Sequence, residues 1–242
     1  MEKNQNNSPE ENYSIEYLPV DYPNYDLSFK VIFVGDSGVG KSCLSSRATK
    51  NTFNSMYSPT IGFDFMTFYI NIEDLDVKLQ IWDTCGQEVY RSLISSFYHN
   101  SSLALLVYSI QNKNSFKNLE SWINEVKTNG NPDINLFLIG NKVDLEDERV
   151  ISKEMAEEFA KNNKIHLFME TSAKTGFNAQ NVFIEAAKLL YEQHLTYKER
   201  ASKPETLLNH LSDNNESNVH LDPIQEDEED VKKKPSCKSK CC

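Results

Sequence analysis

The sequence predicts an α/β fold, a doubly wound and mostly parallel sheet of six strands with helices on both faces. One observation is that short apolar runs alternate with stretches of helical periodicity between residues 29 and 194. This is the pattern of buried parallel strands joined by crossover helices. Another is a pair of adjoining strand patterns, residues 63–72 and 76–82, joined by the acidic turn Glu73-Asp74-Leu75. Strands connected so closely run antiparallel, so one antiparallel strand is expected at the sheet edge.

Each predicted element has its own local pattern. Strands are indicated where apolar residues run together, which outside the hairpin occurs at residues 29–34, 102–109, 134–139 and 165–169. Helices are indicated where apolar residues recur three and four positions apart. Such periodicity occurs at residues 114–128, 152–162 and 178–194, and a further helix is expected to start near Lys41.

The two ends of the chain differ in composition from its middle. Residues 1–28 are polar, acidic and proline-containing, which predicts a mostly disordered extension. Its few apolar side chains, between residues 13 and 20, could dock on another part of the chain, but the sequence does not indicate where. Residues 29–196 form the predicted folded domain. Residues 197–242 are again polar and predict a flexible tail, which ends in a lysine cluster and Cys241-Cys242.

Composition and charge argue against some classes of protein. The net charge of −11 disfavours nucleic-acid binding, for which a basic face is typical. The five cysteines are an odd number, which argues against a disulfide framework and for a reducing, intracellular setting. No apolar run approaches the roughly 18 residues that a membrane-spanning helix needs.

A phosphate-binding loop is indicated by Gly35-Asp36-Ser37-Gly38-Val39-Gly40-Lys41-Ser42, which follows the first buried strand pattern and precedes a helical one. In this context G-x-x-x-x-G-K-[ST] binds phosphate. The glycines let backbone N–H groups approach phosphate oxygens, the helix start adds its positive dipole end, Lys41 adds a charge, and the Ser42 hydroxyl can ligate Mg²⁺. We therefore expect a P-loop NTPase; the alternative is a flexible glycine-rich turn with a chance lysine.

Nucleotide hydrolysis is suggested by Trp82-Asp83-Thr84-Cys85-Gly86-Gln87-Glu88, at the end of the second hairpin strand. Asp83 is expected to support Mg²⁺ through water, and the Gly86 N–H to approach the γ-phosphate. Gln87 is placed to orient the attacking water. For Asp83 the alternative is an ordinary turn residue at the end of a strand.

Guanine selectivity is suggested by two tetrapeptides, Asn141-Lys142-Val143-Asp144 and Thr171-Ser172-Ala173-Lys174. A carboxylate at Asp144 can accept both N1–H and N2–H₂ of guanine, a donor pair that adenine lacks, and Lys142 can lie along the base. The Ala173 N–H is placed to donate to guanine O6. Each tetrapeptide alone would be an ordinary polar loop, but both follow predicted strands at the edge where doubly wound sheets bind ligands.

These motifs make the sequence similar to the Ras-superfamily small GTPases, and specifically to Rabs, over about residues 29–195. The Rab resemblance rests on residues 61–65, 78–86, 90–94 and 106–110 and on the terminal Cys-Cys. It implies a switch that cycles between GTP and GDP with Mg²⁺ and hydrolyses GTP slowly, with Lys41 and Gln87 as catalytic groups. The sequence departs from the family at Cys85, where alanine is usual, and at Ser109, where aspartate is usual.

The resemblance also assigns individual residues. It implies that Thr60 ligates Mg²⁺ together with Ser42 and Asp83, that Phe53 packs against guanine, and that Tyr57 covers the phosphates. It implies an effector-reading aromatic triad, Phe65, Trp82 and Phe97, for which the alternative is plain core aromatics. The nucleotide-binding residues so predicted are Ser37, Gly38, Val39, Gly40, Lys41, Ser42, Cys43, Phe53, Tyr57, Thr60, Gly86, Asn141, Lys142, Asp144, Ser172, Ala173 and Lys174.

The carboxyl terminus is the second predicted chemical site. It is not a C-a-a-X box, and the resemblance implies geranylgeranyl groups on Cys241 and Cys242. Two chains anchor stably where one anchors marginally, and the nearby lysines would add attraction to an anionic leaflet. The alternatives are a zinc cluster or an inert tail for the cysteines, and a merely solvated run for the lysines.

The family resemblance also sets the expected partners and place in the cell. It implies an exchange factor, a GTPase-activating protein, a GDP-dissociation inhibitor, a prenylation escort protein and effectors, with vesicle trafficking on the cytoplasmic face of an endomembrane and cycling through the cytosol. Three alternatives stay open. These are a nucleotide-binding module without hydrolysis, a Ras- or Rho-type signalling GTPase at the cell surface, and an ATP-using P-loop enzyme.

Overall fold

The computed structural model of the protein describes residues 13–19, 22, 24–55, 60, 62–84 and 97–202. These residues contain one seven-stranded sheet with the strand order β1-β3-β4-β2-β5-β6-β7. The strands are β1 Ile15–Tyr17, β2 Leu27–Val34, β3 Phe63–Ile72, β4 Leu75–Thr84, β5 Leu103–Ser109, β6 Asn135–Asn141 and β7 Leu167–Thr171. All pairings from β4 through β2, β5 and β6 to β7 are parallel, whereas β3 pairs antiparallel with β4. The predicted doubly wound, mostly parallel sheet is confirmed.

The sheet has a hydrophobic core on each face. Along β2, Val31 and Phe33 belong to one core, with α1 (Lys41–Lys50) and α5 (Asn181–Ser202). Ile32 and Val34 belong to the other, which contains residues of α3 (Leu119–Asn129) and α4 (Lys153–Asn162). All four side chains are fully buried. A continuously apolar strand such as β2 therefore contributes side chains to the cores on both faces of the sheet, as a parallel sheet between two helical layers requires.

The amino-terminal segment adds one strand to the predicted sheet. Residues 15–17, within the extension predicted to be mostly disordered, form a strand that pairs antiparallel with β3, so that β3 is an inner strand and the sheet has seven strands, not six. Tyr13, Ile15 and Tyr17 lie on one face by the period of two. The Tyr13 ring lies 5.8 Å from the Tyr191 ring, the Tyr17 ring lies 6.1 Å from the Phe68 ring, and Ile15 packs against the core.

Two further boundaries differ from the prediction. The helical pattern at 114–128 forms two helices, α2 (Lys113–Lys117) and α3, which meet at Asn118. The predicted domain end at residue 196 falls inside α5, which continues to Ser202. The rest of the predicted tail, with Cys241 and Cys242, lies outside the described residues. Within the described part of the chain, none of the helices has the length and apolar character to cross a bilayer.

Candidate functional site

A cavity of about 560 Å³ opens at the carboxyl ends of β2, β6 and β7, where the predicted motifs meet. Its volume is in the range of small-molecule sites. Val39 and Ser172 are buried and do not line it, and Tyr57, Gly86 and Gln87 lie outside the described residues. The other predicted nucleotide residues line it: Ser37, Gly38, Gly40, Lys41, Ser42, Cys43, Phe53, Thr60, Asn141, Lys142, Asp144, Ala173 and Lys174.

Two glycines of the phosphate loop are required by both space and backbone conformation. Gly35 has φ +138° and Gly40 has φ +98°, values that favour glycine. A Cβ on Gly35 would lie 2.2 Å from the Val107 carbonyl oxygen, and one on Gly40 would lie 2.5 Å from the Asn141 amide nitrogen. At these two positions the loop therefore follows a path that only glycine can take without strain or a clash.

Lys41 is the first residue of α1, and its side chain lies back across the loop. It is only 5% exposed, and its ammonium donates to the carbonyl oxygens of Gly35 at 2.7 Å and Asp36 at 2.9 Å. The amino terminus of α1 borders the same cavity, so its N–H groups and dipole add positive potential there. A negatively charged ligand that carries oxygen atoms, such as a phosphate, fits this end of the cavity.

Three oxygen-bearing side chains meet beside Lys41. The Ser42 hydroxyl lies 2.7 Å from the Thr60 hydroxyl and donates to Asp83 Oδ2. Asp83 is fully buried, and within the described part of the chain its Oδ1 atom has no hydrogen-bond partner. Burial raises the pKa of Asp83 to about 6, against the lowering effects of the Ser42 hydrogen bond and the Lys41 charge. An unpartnered buried carboxylate oxygen beside two hydroxyls fits a hard, oxygen-preferring cation such as Mg²⁺.

The opposite end of the cavity presents Asp144, in the 3-10 helix Val143–Glu148. Its Oδ1 accepts a hydrogen bond from the Ser172 hydroxyl at 2.6 Å, and its Oδ2 lies 3.7 Å from the Lys174 ammonium. Lys142 adopts the left-handed conformation, with φ 70°, and its ammonium donates to the Gly38 carbonyl at 2.7 Å. The loops after β6 and β7 thus hold one carboxylate oriented by two neighbouring side chains.

Asn141 connects the loops of the cavity to one another. It is 1% exposed, and its amide donates to the Val39 carbonyl at 2.9 Å. Its Oδ1 accepts from the Thr171 hydroxyl at 3.2 Å and from the Ala173 N–H at 3.3 Å. The Ala173 N–H, predicted to donate to guanine O6, is therefore bonded within the protein, because the Asn141 oxygen lies between the two loops.

Arg47 contacts three residues that line the cavity, although no sequence motif indicated it. Its guanidinium donates to the carbonyl oxygens of Ala173 and Lys174, each at 2.9 Å, and lies 5.9 Å from the centre of the Phe53 ring. It therefore fixes the loop after β7 to the end of α1. Ala173 and Lys174 are about half the chain away from Arg47 in sequence, so no local spacing could have revealed these two contacts.

The family is decided by comparison with known proteins. A model described as the Ras family matches residues 30–192. The chain belongs to the Ras family. It is 43% identical over 171 residues to the Ras-related protein Rab-26 of Bos taurus, an alignment that covers 70% of this chain and 66% of that relative, slightly under two thirds of its length. The predicted recognition as a Rab-type small GTPase is confirmed.

A second surface of this Ras-family chain is aromatic. The predicted triad does come together, with the Trp82 ring 5.2 Å from Phe65 and 5.3 Å from Phe97. Phe63, which the triad prediction omitted, lies 5.4 Å from Trp82 and 4.6 Å from Phe97. Phe65 is 44% and Phe63 is 48% exposed, so neither is a plain core residue. The alternation along β3 puts both on one face, which is the signal that could have identified Phe63.

Proposed function

We propose that this protein is a guanine-nucleotide switch that binds GTP and GDP and slowly hydrolyses GTP to GDP and phosphate. The observation that carries the proposal is the arrangement of one cavity. A glycine-dependent loop with Lys41 lies at one end, the oxygens of Ser42, Thr60 and Asp83 lie beside it, and the Asp144 carboxylate lies at the other. Membership of the Ras family supports the same activity.

The phosphates bind at the α1 end. Backbone N–H groups of the loop and the helix start donate to phosphate oxygens, and the Lys41 ammonium, now bonded to Gly35 and Asp36, adds charge at the β- and γ-phosphates. Ser42, Thr60 and Asp83 would hold Mg²⁺, which when bound neutralises charge that develops on these phosphates. Gln87 orients the attacking water.

The intrinsic rate is expected to be slow, on the order of 10⁻⁴ s⁻¹, unless an arginine is supplied to the transferring phosphate. Among the described residues, Arg47 is the arginine that bonds to residues lining the cavity, and its guanidinium donates to the Ala173 and Lys174 carbonyls. A GTPase-activating protein would therefore provide the missing charge and complete the reaction.

The base binds at the Asp144 end. The carboxylate accepts from guanine N1–H and N2–H₂, and it has acceptor capacity left beyond the bond from Ser172. Adenine cannot satisfy such an acceptor, and a site built for a hydrogen bond rejects a ligand lacking it by factors of about 10⁴ or more. Phe53 lines the pocket, and its ring lies 5.9 Å from the Arg47 guanidinium.

The output of the cycle is a change of shape read by partners. The γ-phosphate would hold Thr60 and the segment after β4, and its loss would release them. Effectors would read the patch of Phe65, Trp82 and Phe97. Geranylgeranyl groups on Cys241 and Cys242 would hold the protein on the cytoplasmic face of an endomembrane for vesicle trafficking. An exchange factor, a GDP-dissociation inhibitor and a prenylation escort protein would serve the cycle.

The test is single-turnover hydrolysis of bound GTP by the unmodified chain and by Gln87→Leu, with ATP as competitor. Slow cleavage that is slower still in Gln87→Leu, with no competition by ATP, is expected. Asp144→Ala should weaken GTP binding at least 100-fold, whereas Asp147→Ala, an exposed carboxylate of the same short helix, should not. Tight GTP binding without cleavage in either protein would indicate a binding module, and equal ATP binding would refute the guanine site.

A further inference from the structure

Asp36 is an acidic residue inside a loop that binds anions, and its side chain turns away from them. It is not among the residues that line the cavity. Its Oδ1 accepts a hydrogen bond from the Trp122 indole N–H at 2.8 Å, and its Oδ2 accepts one from the Asn118 side-chain amide at 2.8 Å. Both donors belong to the start of α3, so one carboxylate joins the phosphate loop to that helix.

The two donors differ in how firmly they are held. Trp122 is 1% exposed and packs in the core between the sheet and α3, so its indole N–H is fixed in direction. Asn118 lies at the exposed junction of α2 and α3. Hydrogen bonds to a charged acceptor are about twice as strong as neutral ones. The strong hydrogen bond from the fixed Trp122 indole N–H therefore determines where the Asp36 carboxylate lies.

The main chain of Asp36 contacts the catalytic lysine. The Asp36 carbonyl oxygen accepts from the Lys41 ammonium at 2.9 Å, and the neighbouring Gly35 carbonyl accepts at 2.7 Å. The loop carbonyls further along are held by Lys142 and Asn141. At the start of the loop, the bonds from Trp122 and Asn118 are the side-chain contacts that fix Asp36 from outside.

We propose that Asp36 is a positioning residue for the phosphate site, fixed by Trp122 and Asn118. Its side chain sets the carbonyl that holds Lys41, and the same two bonds keep its negative charge turned away from the phosphates. The proposal rests on the proposed nucleotide switch, and it makes α3 part of the machinery that retains nucleotide. Trp122 then acts through Asp36 and not only by filling the core.

A double-mutant cycle separates these roles, with the dissociation rate of a fluorescent GDP analogue in Mg²⁺ as the readout. Trp122→Phe should speed dissociation by about tenfold, as expected for loss of one charge-assisted hydrogen bond, and Asp36→Ala, which loses the bonds from both Trp122 and Asn118, should speed it by at least as much. The double variant should be no faster than Asp36→Ala, because Asp36→Ala already removes the bond that Trp122→Phe removes. Tyr98→Phe is the control. The Tyr98 hydroxyl donates to Glu125 of α3 at 2.9 Å, so this change removes a hydrogen bond to the same helix without altering a contact of the phosphate loop.

The outcomes are distinct. Rates that multiply in the double variant, or an unchanged rate in Asp36→Ala, would overturn the positioning role while leaving the switch intact. If Trp122→Phe is too unstable to purify, Asn118→Ala replaces it in the cycle, because Asn118 is exposed. No GDP binding by the unmodified chain would overturn the proposed function and this inference together. An equally large effect of Tyr98→Phe would also overturn the positioning role of Asp36, because any loosening of α3 would then be enough to speed GDP dissociation.

Discussion

Two buried asparagines at opposite ends of β6 allow a matched test of how the nucleotide loops are held. Asn141 ends the strand beside the cavity and makes three hydrogen bonds, to Val39, Thr171 and Ala173. Asn135 begins the strand at the far end and also makes three, one to the Ser102 carbonyl and two with Gln193. Asn141 is 1% and Asn135 is 7% exposed. The main difference is therefore that the Asn141 side chain bonds to loops of the cavity, whereas the Asn135 side chain bonds to residues away from it.

We predict that Asn141→Ala weakens nucleotide binding strongly and that Asn135→Ala does not. A hydrogen bond contributes about 1 kcal/mol net, so either substitution removes about 3 kcal/mol of interaction. At Asn141 the partners Val39 and Ala173 belong to the two loops around the cavity. If most of that energy holds the loops in their binding conformation, affinity for GDP falls by up to about 100-fold. At Asn135 the same loss should appear only in the free energy of unfolding.

The measurements are GDP affinity by fluorescence titration and urea unfolding at one fixed GDP concentration. Asn135→Ala should bind GDP within about twofold of the parent while being less stable, which shows that instability alone does not weaken binding. A loss below about threefold in Asn141→Ala would refute the role assigned to this residue. So would equal losses in both variants, because general loosening of β6 would then be the cause.

Three further changes have defined expectations. Ile15→Asp should lower the free energy of unfolding by about 1–2 kcal/mol, because Ile15 packs partly buried against the core, and should speed hydrogen exchange at Ile70–Ile72; no change in exchange there would contradict docking of β1. Burial raises the pKa of the Cys43 thiol, so at pH 7 it should be alkylated more slowly than in urea-unfolded chain, with the difference shrinking as pH rises, measured by peptide-resolved mass spectrometry. Phe65→Ala should reduce effector binding at least tenfold with unchanged GTP affinity, whereas Met155→Ala, an exposed apolar side chain on α4, should not.

The sequence alone determined the parts of the site that are made by neighbouring residues. The phosphate loop is a single run, Gly35 to Ser42, and its glycines, lysine and serine act through spacing that the chain itself fixes. The alternation of apolar runs and amphipathic stretches likewise determined a parallel sheet between two helical layers, because burial on both faces leaves no other pattern. The positions of the loops at the carboxyl edge followed from that topology.

The tertiary structure alone decided what joins these local parts. Asp36 meets Trp122 across 86 positions, and Arg47 meets Ala173 across 126, so no spacing rule connects them. β1 was equally hidden, since a strand of three residues has too little periodicity to stand out, and it forms only because β3 offers an edge and Tyr191 a surface. Contacts between distant segments depend on how the whole chain packs, which is why most residues that line the cavity could be inferred from sequence and the distant residues bonded to its loops could not.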